Sequence, residues 1–139
     1  MKASVKSDYA CRAVEALALH HPDTRPLRIE QIATEKAIPA NYLVQILSEL
    51  KGKGLIRSQR GKAGGYVLAR PPAEITVGDV LRAVEGDVLE FPFLREPKCP
   101  EEIKRVWRRM KSAAEQVADE ITFEQICAEA NRPATMYYI

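Results

Sequence analysis

The sequence has no apolar run approaching the length of a membrane span. Its first residues, MKASVKSDYA, lack the apolar block of a secretory signal. These absences predict a cytoplasmic protein. Cysteine is scarce: Cys11, Cys99 and Cys127 are odd in number and widely spaced, which excludes a disulfide framework and a CxxC metal site. Cys11 and Cys127 fall on helical patterns beside apolar neighbours and read as small buried hydrophobes. The only histidines, His20 and His21, are adjacent; neighbours on a helix diverge by about 100°, and no Cys or carboxylate cluster lies near them to build a metal site. There is also no nucleophile–base pair and no GKS/T phosphate loop. An enzyme is therefore not expected.

The composition is that of an ordinary globular chain, 46% hydrophobic and 29% charged over 139 residues. That length suits one domain plus an appendage. The formal net charge of +2 hides an asymmetry: residues 1–70 carry 12 Lys/Arg against 6 Asp/Glu, and residues 71–139 carry 9 against 13. A basic front joined to an acidic back fits a nucleic-acid-binding part attached to a different one.

The stretch from Leu27 to Arg70 organises the chain. Ile29, Ile32, Ala33 and Ala37 recur at helical spacing, and Pro39 breaks the pattern by pushing Ile38 out of the helical region. A second helix opens at Pro39 and sets Leu43, Ile46, Leu47 and Leu50 on one stripe. Gly52 and Gly54 end it. Two short strands, LIRSQR and GYVLA, then flank the loop Gly61-Lys62-Ala63-Gly64-Gly65. Helix, turn, helix and hairpin, in that order, outline a winged helix-turn-helix. Lys51, Lys53, Arg57, Arg60 and Lys62 occur with no acidic residue among them, and Asn41, Tyr42, Gln45, Ser48 and Glu49 occupy the second helix away from its apolar stripe. Lys and Arg neutralise phosphates, while Asn and Gln pair with base edges. The glycine-rich GKAGGY sits between strands and not before a helix, which rules out a phosphate cradle.

Before this stretch, Ser4 or Ser7 caps a first helix with Tyr9, Ala10, Ala13, Val14, Leu17 and Ala18 at its apolar positions, ended by His20-His21-Pro22. After it, Arg70-Pro71-Pro72 makes a stiff connector, and a short helix runs from Thr76-Val77-Gly78-Asp79 through Val84 to a stop at Gly86. Pro92, Pro97 and Pro100 punctuate a loop, FPFLREPKCP. A long helix of about 20 residues follows. Its stripe, Ile103, Val106/Trp107, Met110, Ala113/Ala114, Val117 and Ile121, recurs like a coiled-coil seam. Thr122 caps a last helix, Phe123 to Ala130, and Met136-Tyr137-Tyr138-Ile139 suggests a terminal strand.

KSDYACRAVEALA, SELKGKGLIRSQRGKAGGYVLAR and ITVGDVLRAVEG resemble the Rrf-type winged-helix regulators, the family of IscR, NsrR and CymR; the most specific piece is the wing RGKAGGYVLAR. The resemblance covers nearly the whole chain. It implies a mainly α fold with a small β-hairpin wing and a long C-terminal dimerisation helix. Residues 1–72 would form the DNA-binding domain, and residues 73–139 the short helix, sensing loop and dimerisation helix. It further implies a homodimeric transcriptional regulator that acts as a repressor on a palindromic operator, with double-stranded DNA and a second copy as partners. By this resemblance Asn41, Tyr42 and Gln45 face DNA, Arg60 enters the minor groove beside Gly61, Gly64 and Gly65, and Lys6 and Tyr9 touch the backbone. Ser48, Lys51, Lys53, Arg57 and Lys62 complete the expected contact set. Val44 replaces an acidic position of the IscR helix, so operator preference does not carry over. Ile103, Val106, Trp107, Met110, Ala114, Val117 and Ile121 are the expected dimer residues.

The loop departs from the cluster-binding members, which carry three closely spaced cysteines where this chain has Cys99 alone. One thiol falls short of the four ligands a cluster normally takes, so no cofactor is expected. A mixed-ligand cluster through Cys99 and Asp8 is the alternative, as is Cys99 acting as a lone redox thiol or having no sensing role. The rival to DNA binding is a winged helix devoted to protein–protein contact, which would have no need of the basic run.

Overall fold

Ser4 starts the first helix by local chemistry. Its Oγ accepts the Ser7 backbone N–H at 3.0 Å, taking up an amide that a helix start leaves unpaired. In the computed structural model, which describes residues 3–22 and 25–132, helix α1 then runs Val5–Leu19. Its buried side is made of Ala10, Ala13, Ala16 and Ala18 with Val14 and Leu17. Small side chains allow neighbouring helices to approach closely, and α1 packs against four of them.

Helix α2 (Ile29–Lys36) ends where Ala37 takes the left-handed conformation, φ 54°. Ile38, which is buried, and Pro39, which is exposed, then turn the chain into helix α3 (Ala40–Gly52). Leu43, Ile46, Leu47 and Leu50 are buried on its inner side. The helix continues through Gly52, and the reversal falls at Gly54. Strands β1 (Ile56–Gln59) and β2 (Gly65–Leu68) pair antiparallel, Ile56 opposite Leu68 and Gln59 opposite Gly65. The hairpin is pinned at its base: Leu27 and Tyr66 exchange backbone hydrogen bonds of 2.9 and 2.8 Å.

Helix α4 (Val77–Glu85) opens on a reciprocal cap, Thr76 and Asp79 each accepting the other's backbone N–H at 3.0 Å. A 3-10 turn at Pro92–Arg95 interrupts the proline-rich loop. Helix α5 (Glu101–Glu120) and helix α6 (Phe123–Ala130) complete the described chain. The expected strand at Met136–Ile139 lies outside the described residues.

One buried cluster joins α1, α2, α3, the wing base, α4 and Phe123 of α6. The core thus runs across residue 72. Helix α5 stands apart, with Ala118 its one buried residue. It is held to α4 where Arg82 grips both carboxylate oxygens of Asp119, at 2.7 and 2.8 Å. Gly78 makes this approach feasible, since a Cβ there would lie 2.0 Å from Asp119 Oδ1. Farther along, Trp107 stacks on Phe91 at 6.0 Å between ring centroids, and Lys111 bonds Asp87 at 2.8 Å.

Two substitutions test these anchors. Phe123 is completely buried, and Phe123→Ala should cost about 3–5 kcal/mol by urea unfolding, the usual loss for a buried aromatic. A Cβ on Gly65 would sit 2.5 Å from the Leu27 carbonyl oxygen. Gly65→Ala should therefore cost about 1–3 kcal/mol and raise hydrogen exchange at the Leu27 and Tyr66 amides while leaving α1 protected.

Candidate functional site

The outer side of α3 is the mirror of its buried stripe. Asn41, Val44, Gln45 and Ser48 stand exposed, separated by the three- and four-residue steps that place side chains on one helix face. Tyr42, 48% exposed, lies to one side of them. Its ring meets the edge of Tyr9 at 5.5 Å, and the Arg12 guanidinium lies 5.4 Å from the Tyr9 ring centroid. Arg12 is in turn bonded to Asp8 at 2.6 Å. α1 thus buttresses α3 through aromatic contact.

Glu49 is the second link between these helices. Its Oε1 accepts from Lys6 Nζ at 2.9 Å and from Gln45 Nε2 at 3.0 Å. Its other carboxylate oxygen is buried with no hydrogen-bond partner. The sequence showed Glu49 only as one more polar residue on the helix. Lys6 lies 43 positions away, so no spacing rule connects the two; the contact exists only because α1 crosses α3. The lock fixes the Gln45 amide while leaving its Oε1 and its second Nε2 hydrogen for another partner.

The expected phosphate contacts fall on the wing and on the turn leading to it. Lys51, Lys53, Arg57, Arg60 and Lys62 are all exposed. None of them enters an ion pair found among the described residues, in contrast to Lys6, Arg12 and Lys36, which do. The wing turn closes with Gly64 N–H donating to the Gly61 carbonyl at 2.9 Å. Arg28, at the start of α2, donates to the Lys62 carbonyl and ties the turn back to the helix. This leaves a concentration of uncompensated positive charge beside the exposed side of α3.

The apolar pattern of α5 resolves into two stripes. Ile103, Val106, Met110 and Val117 are exposed at 41, 48, 43 and 56%, and with exposed Ala113 they repeat in alternating steps of three and four. Trp107, Ala114 and Ile121 lie on the neighbouring, half-buried stripe. Trp107 packs inside its own chain, against Phe91 and Phe93. The sequence merges these stripes because adjacent positions in a helix differ only in which side tertiary contacts cover.

Cys99 is half-buried in the loop before α5, its N–H donating to Glu96 at 3.2 Å. The other thiols sit in α1 and α6, packed against the core. Burial, with Asp8 nearby, pushes Cys11 up to about 11, and burial also raises Cys127. Neither is poised as a thiolate.

The whole arrangement has close counterparts. The model of the Rrf2 family, described as an iron-dependent transcriptional regulator, matches residues 3–129. The HTH-type transcriptional regulator CymR of Bacillus subtilis (strain 168) is 34% identical over 141 residues, covering all of both chains. Among solved structures, T. potens IscR superposes with a TM-score of 0.81 at 34% identity, covering 99% of this chain and 97% of that one. CymR of B. subtilis, described as the global cysteine regulator, superposes with a TM-score of 0.80 at 31% identity, covering 93% and 98%.

The family description names iron, and this chain offers few residues to hold it as a cluster. Among the described residues, no three His, Cys, Asp or Glu side chains gather as a metal site. Cys99 is the loop's one thiol, and Asp8 is engaged by Arg12. This donor set does not fit an iron–sulfur cluster, whose irons are ordinarily held by four cysteine ligands. What fold, sequence and relatives share is a regulator's architecture: the chain belongs to the Rrf2 family of transcriptional regulators.

Proposed function

We propose that the protein binds DNA as a homodimer on a two-fold symmetric operator and represses transcription from it. The observation that carries this reading is the set of five exposed cations, without ion-pair partners among the described residues, that follows the polar outer side of α3 along the chain into the wing. Positive charge left uncompensated in this way is what a phosphate backbone draws on, through counterion release. Residues 1–72 make the contact and residues 73–139 pair the subunits. A cytoplasmic site of action follows from DNA as the partner.

Helix α3 enters the major groove, where Asn41 and Gln45 face base edges and Glu49 holds the Gln45 amide in place. Arg60, at the end of β1, enters the minor groove, whose negative potential favours a guanidinium. Lys6 is shared between Glu49 and a phosphate, and Tyr9 supports the same edge through Tyr42. The exposed α5 seam from Ile103 to Val117 pairs with its copy, which removes apolar surface that a monomer would leave in water. A dimer seated on an operator excludes other proteins from that DNA, the simplest route to repression. Cys99 and Asp8 take no part in binding DNA, which proceeds without a cluster.

Binding titrations on matched and mismatched duplexes at two salt concentrations test the interface. Gln45→Ala should cost about 1–3 kcal/mol on the preferred site and flatten discrimination at one base pair. Arg60→Ala should weaken binding on all sequences and lower the salt slope by about one. An unchanged slope would remove the wing from the interface and favour a protein-binding role.

The seam has its own test. Met110→Glu places a charge in the centre of the apolar stripe. Sedimentation should show dimer for the native protein and monomer for the variant, with the circular dichroism of the fold retained. A native monomer at tens of micromolar, roughly the range of weak dimers, would exclude this mode of pairing.

A further inference from the structure

Val44 is out of keeping with its surroundings. It is 60% exposed, in a helix whose other large aliphatic side chains are buried. Valine ranks no higher than Asn or Ser and below Gln as a helix former, so neither helix propensity nor the core accounts for it. Isolated exposed aliphatics are ordinary on protein surfaces. This one is placed inside the exposed α3 stripe, flanked by Asn41 and Ser48 on its own face and by Gln45 next in sequence. Two turns further on, at i+7, stands Lys51, exposed and without an ion-pair partner among the described residues.

Resting on the reading that α3 occupies the major groove, we propose that Val44 is a specificity-determining residue that reads the C5-methyl group of a thymine. A valine side chain has no donor or acceptor, so among base-edge features in that groove only the methyl group complements it. Its β-branch leaves essentially one rotamer in a helix, which presents the two methyls in a fixed position at little entropic cost. Gln45, held by Glu49 through Nε2, keeps a donor and an acceptor for adenine. Adjacent residues therefore read chemically different features. The thymine lies about one or two base-pair steps from the adenine that Gln45 reads, since consecutive Cα atoms are about 3.8 Å apart and base pairs about 3.4 Å. Cytosine at that position lacks the methyl and is discriminated against, while 5-methylcytosine restores it.

The test begins with enrichment of binding sequences from a random duplex pool by the full-length protein. Each thymine of the enriched site is then replaced singly by deoxyuridine, which removes the methyl and nothing else. One thymine per half-site should show a roughly three- to fivefold loss of affinity on replacement, the ratio that burying one methyl-sized group gives. Val44→Ser, an exposed substitution that leaves the core untouched, should bind the thymine and deoxyuridine duplexes equally while still discriminating at the adenine. A flat deoxyuridine scan in the native protein overturns the assignment to Val44. So does a V44S variant that keeps the same thymine preference, because another group would then be reading the methyl. Failure to enrich any sequence is a different result: it overturns the DNA-binding reading itself, and the Val44 assignment with it.

Discussion

The close packing around α1 is the constraint on which the remainder of the structure depends. Ala10, Ala13 and Ala16 are completely buried, and their lack of bulk lets α2, α3, α4 and α6 reach one short helix. A larger side chain at any of these sites would have to displace a neighbouring helix, because cores packed to this density have no spare volume. The same helix carries Lys6 and Tyr9 on its outward side, so the contacts that set α3 in place are fixed by the packing beneath them. α1 is thus both the centre of the core and the rear support of the candidate interface.

That arrangement separates two kinds of surface. From the end of α3 through the wing, Lys51, Lys53, Arg57, Arg60 and Lys62 have no ion-pair partner among the described residues, and backbone is pinned by the Leu27–Tyr66 bridge and the Arg28 contact to Lys62. Along α5, ion pairs such as Arg82–Asp119 and Lys111–Asp87 tie the helix to α4 and the loop after it, and apolar side chains are left uncovered. The Lys111 hydrogen bond holds the Asp87 carboxyl below its ordinary range. This contact keeps the loop after α4 against α5, and its contribution is present above the usual carboxylate pKa and is lost as pH falls through the lowered value. Exposed unpaired cations suit a polyanion, whereas an exposed apolar seam suits its own copy.

Local chemistry made the elements legible in the sequence. Ser4, Thr76 and Thr122 cap helices where their side chains predict, Pro39 divides α2 from α3, and the α5 and α6 boundaries follow from Pro100 and Thr122. Of the candidate site, the polar side of α3 and the basic wing were visible because both are periodic or contiguous in sequence. Glu49 as a lock was not, nor was the turning of Trp107 inward onto Phe91. Both depend on partners far away in the chain, or on which of two adjacent helical positions a neighbouring segment covers.

By itself, the sequence determined the order of helices and strands, the placement of the basic run and the isolation of Cys99, because caps, breakers and residue type act within a few positions. Tertiary structure alone decided that α4 and α6 share a core with the winged helix, since Val80 and Phe123 reach it only after the chain has folded back. It also decided which half of the α5 stripe stays in water, and that Val44 stands uncovered among polar neighbours. Burial is a property of what lies opposite a residue, and no local pattern specifies that.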